Sequence, residues 1–284
     1  MLNKNIVNFI GCDAEYEDAS VVLFGAPFDS TTSYRPGTRF ASTTIRNESY
    51  GLETYSPYQD KDLEDYCIFD SGDIEIPMGD SNKALAAIEE RCQTILDDEK
   101  IPFMIGGEHL VTLGTMRAIA KKYPDVCMIH FDAHTDLRDE YLGVKLSHAS
   151  VIRRCHDIIG DNRIHQFGIR SGERVEFKWA KEHTDLHKFS FDGLEEVVDS
   201  LVGKPVYFTI DLDVLDPSYF PGTGTPEFGG VTFQQLLQAM HTVISKLNIV
   251  GMDVNELAPN LDTSGASTAC ACKVVREALL ELMK

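Results

Sequence analysis

Positive charge is scarce in this 284-residue sequence, which has 26 Lys and Arg residues against 45 Asp and Glu residues and a net charge of −19. Surfaces that bind nucleic acids or anionic membranes need basic patches, so the composition argues against both kinds of partner. Apolar runs of membrane-spanning length and the apolar core of a signal peptide are also missing. We therefore expect a cytoplasmic protein that binds neither nucleic acid nor membrane.

The seven cysteines lack the CxxC spacing of zinc knuckles and redox sites, and their number is odd. This predicts mostly buried free thiols in a reducing compartment. No Pro-, Gly- or Ser-rich linker divides the chain, and 43% of its residues are apolar, enough for a sizeable core. We interpret residues 1–284 as a single domain.

Short, almost continuously apolar runs alternate along the chain with longer stretches of helical periodicity. The runs suit strands that are buried on both faces, and they cover residues 21–27, 66–73, 102–107, 126–134, 163–169, 205–214 and 248–257. The helical stretches cover residues 81–98, 110–122, 173–182, 232–246 and 267–283. This alternation predicts an α/β fold with three αβα layers and a mainly parallel central sheet.

Polar residues follow four of the predicted strands at the point where each strand ends. Ligands bind outside the carboxyl ends of the strands in such sheets, so we expect the chemistry there. The residues are Glu108 and His109; Asp132, His134 and Asp136; Asp211, Asp213 and Asp216, the last interpreted as structural; and Asp253 and Glu256.

The spacing of these residues indicates a metal site. Residues two apart in an extended segment point to the same side, so Asp132 projects with His134 and Asp211 with Asp213. Buried carboxylates this close repel each other unless a cation neutralises them. Carboxylate and imidazole ligands suit manganese, iron or zinc. Four aspartates balance two divalent ions, which can share and activate one water molecule.

Six motifs in this order resemble the ureohydrolase family, which contains the arginases and agmatinases, and most of all its bacterial agmatinase branch. The resemblance covers the chain from about Gly25 to the C-terminus. The motifs are GGEH at 106–109, DAHTD at 132–136, SHAS at 147–150, DLDVLDP at 211–217, PGTGTPEFGG at 221–230 and NELAP at 255–259.

The resemblance implies two Mn²⁺ ions per subunit. His109, Asp132, Asp136 and Asp211 would hold one ion, while Asp132, His134, Asp211 and Asp213 would hold the other. The family also implies a homo-oligomer, usually a trimer or hexamer. Glu108 stands where an aspartate is common in the family, and we leave it outside the site.

The same resemblance implies hydrolysis of a small cationic guanidino compound. His148 is the candidate for a proton shuttle, and Glu256 for a carboxylate that holds the guanidinium. Glu173 follows FGIRSG and is a candidate partner for the distal ammonium of agmatine. The loop after DAHTD lacks the Asn and Ser that arginases use to bind a carboxylate, which favours agmatine and yields putrescine and urea. Arg138 and Lys145 in that loop leave a carboxylate-bearing substrate open.

Three alternatives remain at this point. One is a ureohydrolase for guanidinobutyrate, arginine or formiminoglutamate. Another is a metal- or polyamine-binding protein without catalysis, which the full set of six ligands argues against. The last is the related deacetylase scaffold with a single zinc, which the presence of His109 and both ends of DAHTD argue against.

Overall fold

The computed structural model describes residues 2–283 and contains one large sheet and one small hairpin. The large sheet has the order β4-β1-β5-β10-β9-β6-β7-β8, and every neighbouring pair is parallel. β2 and β3 form the antiparallel hairpin. The strands are β1 (Val21–Gly25), β2 (Tyr55–Ser56), β3 (Lys61–Asp62), β4 (Ile68–Asp73), β5 (Ile101–Ile105), β6 (Cys127–Phe131), β7 (Ile164–Ile169), β8 (Asp185–Lys188), β9 (Pro205–Asp211) and β10 (Asn248–Asn255).

Helices cover both faces of the sheet, which confirms the three-layer prediction. One face packs against α1, α6, α7 and α8, and the other packs against α2, α3, α4 and α5. The helices are α1 (Ala41–Ser49), α2 (Ser81–Asp97), α3 (Thr112–Lys122), α4 (Val151–Ile159), α5 (Arg174–His183), α6 (Leu194–Leu201), α7 (Phe233–Lys246) and α8 (Ala266–Leu282). Among residues 2–283, no helix is long and apolar enough to span a bilayer.

The strands of the large sheet have almost continuously apolar sequences because both faces of the sheet are buried. In β9, Phe208 and Ile210 pack on the side of α6, α7 and α8, while Tyr207 packs on the side of α2 and α3. Successive side chains thus enter two different cores, and neither core tolerates a charged group without a partner. All seven cysteines are free and five of them are buried, as predicted.

Six of these strands and helices were not predicted from the sequence: the two-residue strands β2 and β3 of the hairpin, β8, α1, α4 and α6. β8 has the polar sequence DLHK because it lies at an edge of the sheet, where burial is incomplete. α1, α4 and α6 are only eight or nine residues long. In α4, Val151, Ile152, Cys155 and Ile159 are buried at helical spacing, so a signal was present in the sequence.

The order of the strands brings the polar strand ends together. β5, β10, β9 and β6 are consecutive neighbours in the middle of the sheet. Their carboxyl ends meet at one edge, and each leads directly into one group of the polar residues named above. The four strands end at residues 105, 131, 211 and 255, so the ends are far apart in the sequence. The topology of the sheet, rather than the local sequence, therefore creates the site.

Gly107 fixes how closely the chain after β5 approaches its neighbour. A Cβ atom at this position would lie 1.9 Å from the carbonyl oxygen of Phe28. Glu108 N donates a hydrogen bond of 2.7 Å to the same oxygen. Any side chain at position 107 would therefore push Glu108 and His109 away from the strand ends.

We expect Gly107→Ala to lower the free energy of unfolding by about 2 kcal/mol, because the backbone of Phe28 cannot yield as a side chain could. Chemical denaturation measures the change. Gly203→Ala is the matched control, since Gly203 has φ +85° but open space around it. It should cost about 1 kcal/mol through backbone strain alone. Equal losses in the two variants would contradict the role given to close packing at Gly107.

Candidate active site

His109 is the centre of a first group of buried oxygen atoms. Its Nδ1 lies 3.1 Å from Asp132 Oδ2, 3.2 Å from Asp136 Oδ2 and 3.4 Å from Asp211 Oδ2. All four side chains are buried. The structure thus brings together the residues of the first predicted ligand set.

His134 belongs to a second group beside the first. Its Nδ1 lies 2.9 Å from Asp213 Oδ2 and 3.5 Å from Asp132 Oδ1. Asp132 therefore turns one oxygen toward each histidine and joins the two groups. Asp211 contacts the second group through Oδ1, which accepts a 2.8 Å hydrogen bond from Asp213 N.

The aspartates shift one another's proton affinity strongly. Burial, and then the charges of Asp213 and Asp132, raise the pKa of Asp211 well above its ordinary value. Burial and the charge of Asp132 raise the pKa of Asp136 to about 7. These carboxylates are costly to ionise together without additional positive charge.

The histidines show the opposite response. Burial alone would lower the pKa of His109, but its contacts with Asp132, Asp136 and Asp211 raise it well above the ordinary value. The pKa of His134 is raised in the same way, against burial, chiefly by the charge of Asp213. The cluster therefore attracts positive charge.

The donor set fits divalent metal ions. Asp213 Oδ2 is buried and accepts no hydrogen bond, although it lies within 2.9 Å of His134 Nδ1. Asp132, His134 and Asp213 each offer a ligand atom within one small sphere. Carboxylate oxygens and imidazole nitrogens at these positions are suitable ligands for two adjacent divalent ions.

A cavity of about 290 Å³ opens from this cluster to solvent, and Asp136, His134 and Asp211 lie along its lining. Glu256 also lines it and has φ +68°, an unusual backbone conformation for a residue with a side chain. Glu256 Oε1 accepts a 2.7 Å hydrogen bond from His109 N. Burial and then the charge of Glu108 raise the pKa of Glu256 well above its ordinary value.

His148 forms part of the cavity wall at the start of the 3₁₀ turn that precedes α4. Its Nε2 lies 3.3 Å from Ser33 Oγ, and its backbone N–H donates to Thr31 Oγ1 over 3.1 Å. Burial lowers the pKa of His148 to about 4, so the ring is neutral at pH 7. A neutral ring beside the His and Asp cluster can accept a proton, and the low pKa means that the protonated ring gives the proton up readily.

Glu173 lies at the cavity mouth, but its carboxylate already has a partner. Its Oε1 is 2.8 Å from Arg138 Nη1, and its side chain is 54% exposed. It is also the residue that precedes the first turn of α5. Arg138 in turn lies 4.5 Å from the centre of the Tyr141 ring.

Other polar residues of the motifs support the site from outside. Glu108 accepts hydrogen bonds from Thr31 N and Thr32 Oγ1, which holds the segment next to His148. Asp253 accepts hydrogen bonds from Thr112 Oγ1 and Asn255 Nδ2 below the site. Asp216 instead holds a turn, since it accepts hydrogen bonds from Ser218, Gly229 and Gly230.

His130 was missed by the sequence analysis. Its Nε2 lies 2.8 Å from Asp132 Oδ2, and its Nδ1 lies 3.1 Å from Gln166 Nε2. The signal was available, because His130 precedes Asp132 by two residues and so projects to the same side of β6.

Two further residues that position the loops were also missed. Glu176 accepts hydrogen bonds from Thr135 Oγ1 and Leu137 N, which fixes the DAHTD segment. Arg170 donates to the carbonyl oxygens of Asp213 and Glu227. Neither contact can be inferred from spacing, because the partners lie far apart in the sequence.

Comparison with known proteins agrees with this geometry. The arginase family model matches residues 19–281. Agmatinase of Bacillus subtilis is 48% identical over 280 residues, 97% of this chain and 96% of its own. The human mitochondrial guanidino acid hydrolase is 35% identical over 94% of this chain and 80% of its own. The crystal structure of agmatine ureohydrolase of Thermoplasma volcanium has a TM-score of 0.89 at 33% identity, covering 98% of this chain and 95% of that one.

The chain belongs to the arginase family. It is an enzyme of the ureohydrolase type, which hydrolyses a C–N bond of a guanidino group. This assignment confirms the resemblance in the motifs and the expectation of an enzyme, and it favours a ureohydrolase over the deacetylase alternative.

We expect Asp213→Asn to weaken metal retention by about 100-fold or more, since loss of a ligand should cost at least as much as loss of a hydrogen-bond partner to one. Elemental analysis after dialysis measures bound metal. Asp216→Asn, three residues along the same motif, should keep the metal content of the wild type. Full metal content in Asp213→Asn would remove this residue from the ligand set.

Proposed function

We propose that this protein hydrolyses agmatine to putrescine and urea with two Mn²⁺ ions per subunit. The observation that carries the proposal is the convergence of two imidazoles and four carboxylates at the base of one cavity. Similarity to agmatinases over nearly the whole chain supports the choice of substrate.

The proposed ligands of the first ion are His109, Asp132, Asp136 and Asp211. Asp132 and Asp211, together with His134 and Asp213, would hold the second. When bound, such a pair of ions lowers the pKa of a shared water molecule so that a hydroxide is available at neutral pH.

The guanidinium would be held by Glu256. This carboxylate is buried beside the ligands and is oriented through the backbone N–H of His109. A planar guanidinium can donate two parallel hydrogen bonds to a carboxylate. A substrate cation also supplies the positive charge that a buried Glu256 needs to remain ionised.

His148 would move the proton. Water adds to the guanidinium carbon, and the bond from that carbon to the alkyl-bearing nitrogen breaks. The departing nitrogen must gain a proton to leave as an amine. His148 is neutral at pH 7, so its ring can accept a proton from the attacking water and deliver it to that nitrogen.

The charges at the cavity mouth favour agmatine over carboxylate-bearing substrates. Arg138 contributes a positive charge to the cavity lining, but two carboxylates offset it. Glu173 Oε1 lies 2.8 Å from Arg138 Nη1, and Glu176 Oε2 lies 3.9 Å from Arg138 Nε. Lys145 is exposed to solvent. We propose that Glu173 adds to the negative potential that attracts the distal ammonium, while Arg138 holds one of its oxygens.

The manganese-loaded enzyme should turn over agmatine with a kcat/KM at least about tenfold higher than arginine, guanidinobutyrate or formiminoglutamate, because each of these brings a carboxylate to an acidic mouth. Product release across this panel is the measurement. Similarity to the human guanidino acid hydrolase makes guanidinobutyrate the second candidate. Faster turnover of any carboxylate-bearing compound would refute agmatine as the substrate.

Replacing His148 with Asn should lower kcat by about 100- to 10,000-fold, the usual contribution of general acid–base catalysis. Metal content should stay unchanged, because His148 is not among the proposed ligands. The control is His241→Asn at an exposed histidine that pairs with Glu281. Imidazole in the buffer should partly restore the activity of His148→Asn. Unchanged kcat in that variant would exclude a proton-transfer role.

The oligomeric state and the cellular location stay predictions. The homo-oligomer, a trimer or hexamer, rests on the resemblance to the family. The cytoplasmic location rests on the free cysteines and on the sequence patterns described first.

A further inference from the structure

A second group of potential metal ligands lies at the opposite end of the sheet from the catalytic cavity. His156 is in the last turn of α4 and His183 in the last turn of α5. Asp161 lies in the loop that leads into the amino end of β7. The two ends of a parallel sheet are separated by the length of its strands, so this group is distinct from the active site.

The three side chains converge on one point. His156 Nε2 lies 2.8 Å from Asp161 Oδ1, and His183 Nδ1 lies 2.6 Å from the same oxygen. The three ligand atoms are all within 4.8 Å of one another, as in the group formed by Asp132, His134 and Asp213 at the active site.

The surrounding structure holds the three residues in place. Gly160 N donates to the carbonyl of His156, and Asn162 N donates to the carbonyl of His183, so both neighbours of Asp161 are tied to the histidines. Trp179 stacks on the His183 ring with centroids 4.1 Å apart. It meets the His156 ring edge-on at 4.6 Å. The carbonyl-rich ends of two helices also favour a cation here.

A neighbouring group shows that His and Asp composition alone does not produce this geometry. Asp185 also lies between two histidines, His165 at 2.9 Å and His187 at 3.1 Å. There the imidazoles contact different oxygens of the carboxylate, whereas His156 and His183 share one. The Asp185 group therefore provides an internal comparison.

We propose that His156, Asp161 and His183 bind one divalent transition-metal ion. The ion belongs to the class that prefers imidazole ligands, such as Zn²⁺, and water completes its coordination. Asp161 is 54% exposed through its side chain, so an ion can enter directly from solvent. Bound there, the ion would join the ends of α4 and α5 without contacting the catalytic cavity.

The single tryptophan of the chain, Trp179, is a reporter for this site. Titration of the manganese-loaded enzyme with Ni²⁺ should quench Trp179 fluorescence and saturate at one equivalent per subunit, and Zn²⁺ should reverse the quenching. Asp161→Asn and His183→Gln should each raise the half-saturating Ni²⁺ concentration by about tenfold or more. His187→Gln, in the Asp185 group, should behave as the wild type.

Several results would overturn the proposal. One is quenching by the wild type that does not saturate below millimolar Ni²⁺. Another is a half-saturating Ni²⁺ concentration in both Asp161→Asn and His183→Gln that equals that of the wild type. In that case Asp161 would be only a shared hydrogen-bond acceptor. Equal weakening in His187→Gln would show that the response is not local. Melting temperatures measured without added metal establish that each variant is folded. Asp161→Asn and His183→Gln change different ligands, so they test the site independently.

Discussion

Repulsion among buried carboxylates is the constraint on which this structure depends. Asp132, Asp136, Asp211 and Asp213 lie at the ends of two neighbouring strands, all buried. Placing four negative charges in a low-dielectric space is unfavourable unless cations balance them. Two divalent ions have the matching charge, and in the function proposed above the same ions would supply the chemistry of a ureohydrolase. The repulsion among these carboxylates and the proposed chemistry thus have one origin, the charge concentrated at the strand ends.

The sheet makes this concentration of charge possible. Apolar cores on both faces supply the stability, and hydrogen bonds between the parallel strands hold their ends in register. Loops that follow the strands then need few additional contacts to place the ligands. Gly107, Arg170 and Glu176 supply such contacts, each by fixing the backbone of a neighbouring segment.

Two clusters of histidine and aspartate illustrate different uses of the same chemistry. At the carboxyl end of the sheet, the ligands line a cavity in which a guanidinium can bind. At the amino end, His156 and His183 hold Asp161 between two helix termini, and none of these three residues lines the catalytic cavity. The first arrangement suits catalysis, whereas the second suits a link between secondary-structure elements.

The sequence alone determined the fold class, seven of the eight strands in the sheet and the histidines and aspartates that we propose as metal ligands. Alternating apolar runs and strand-end motifs are local patterns, and they survive in a single sequence. His130 and α4 were missed although a local signal was present. Which strands are neighbours, which oxygen of Asp132 faces which histidine, and the ion pair of Arg138 with Glu173 were decided by tertiary structure. These features depend on contacts between residues far apart in the chain, and no spacing rule can supply them. The His156, Asp161 and His183 cluster is of the same kind, because His183 at the end of α5 reaches Asp161 through the tertiary packing of two separate segments.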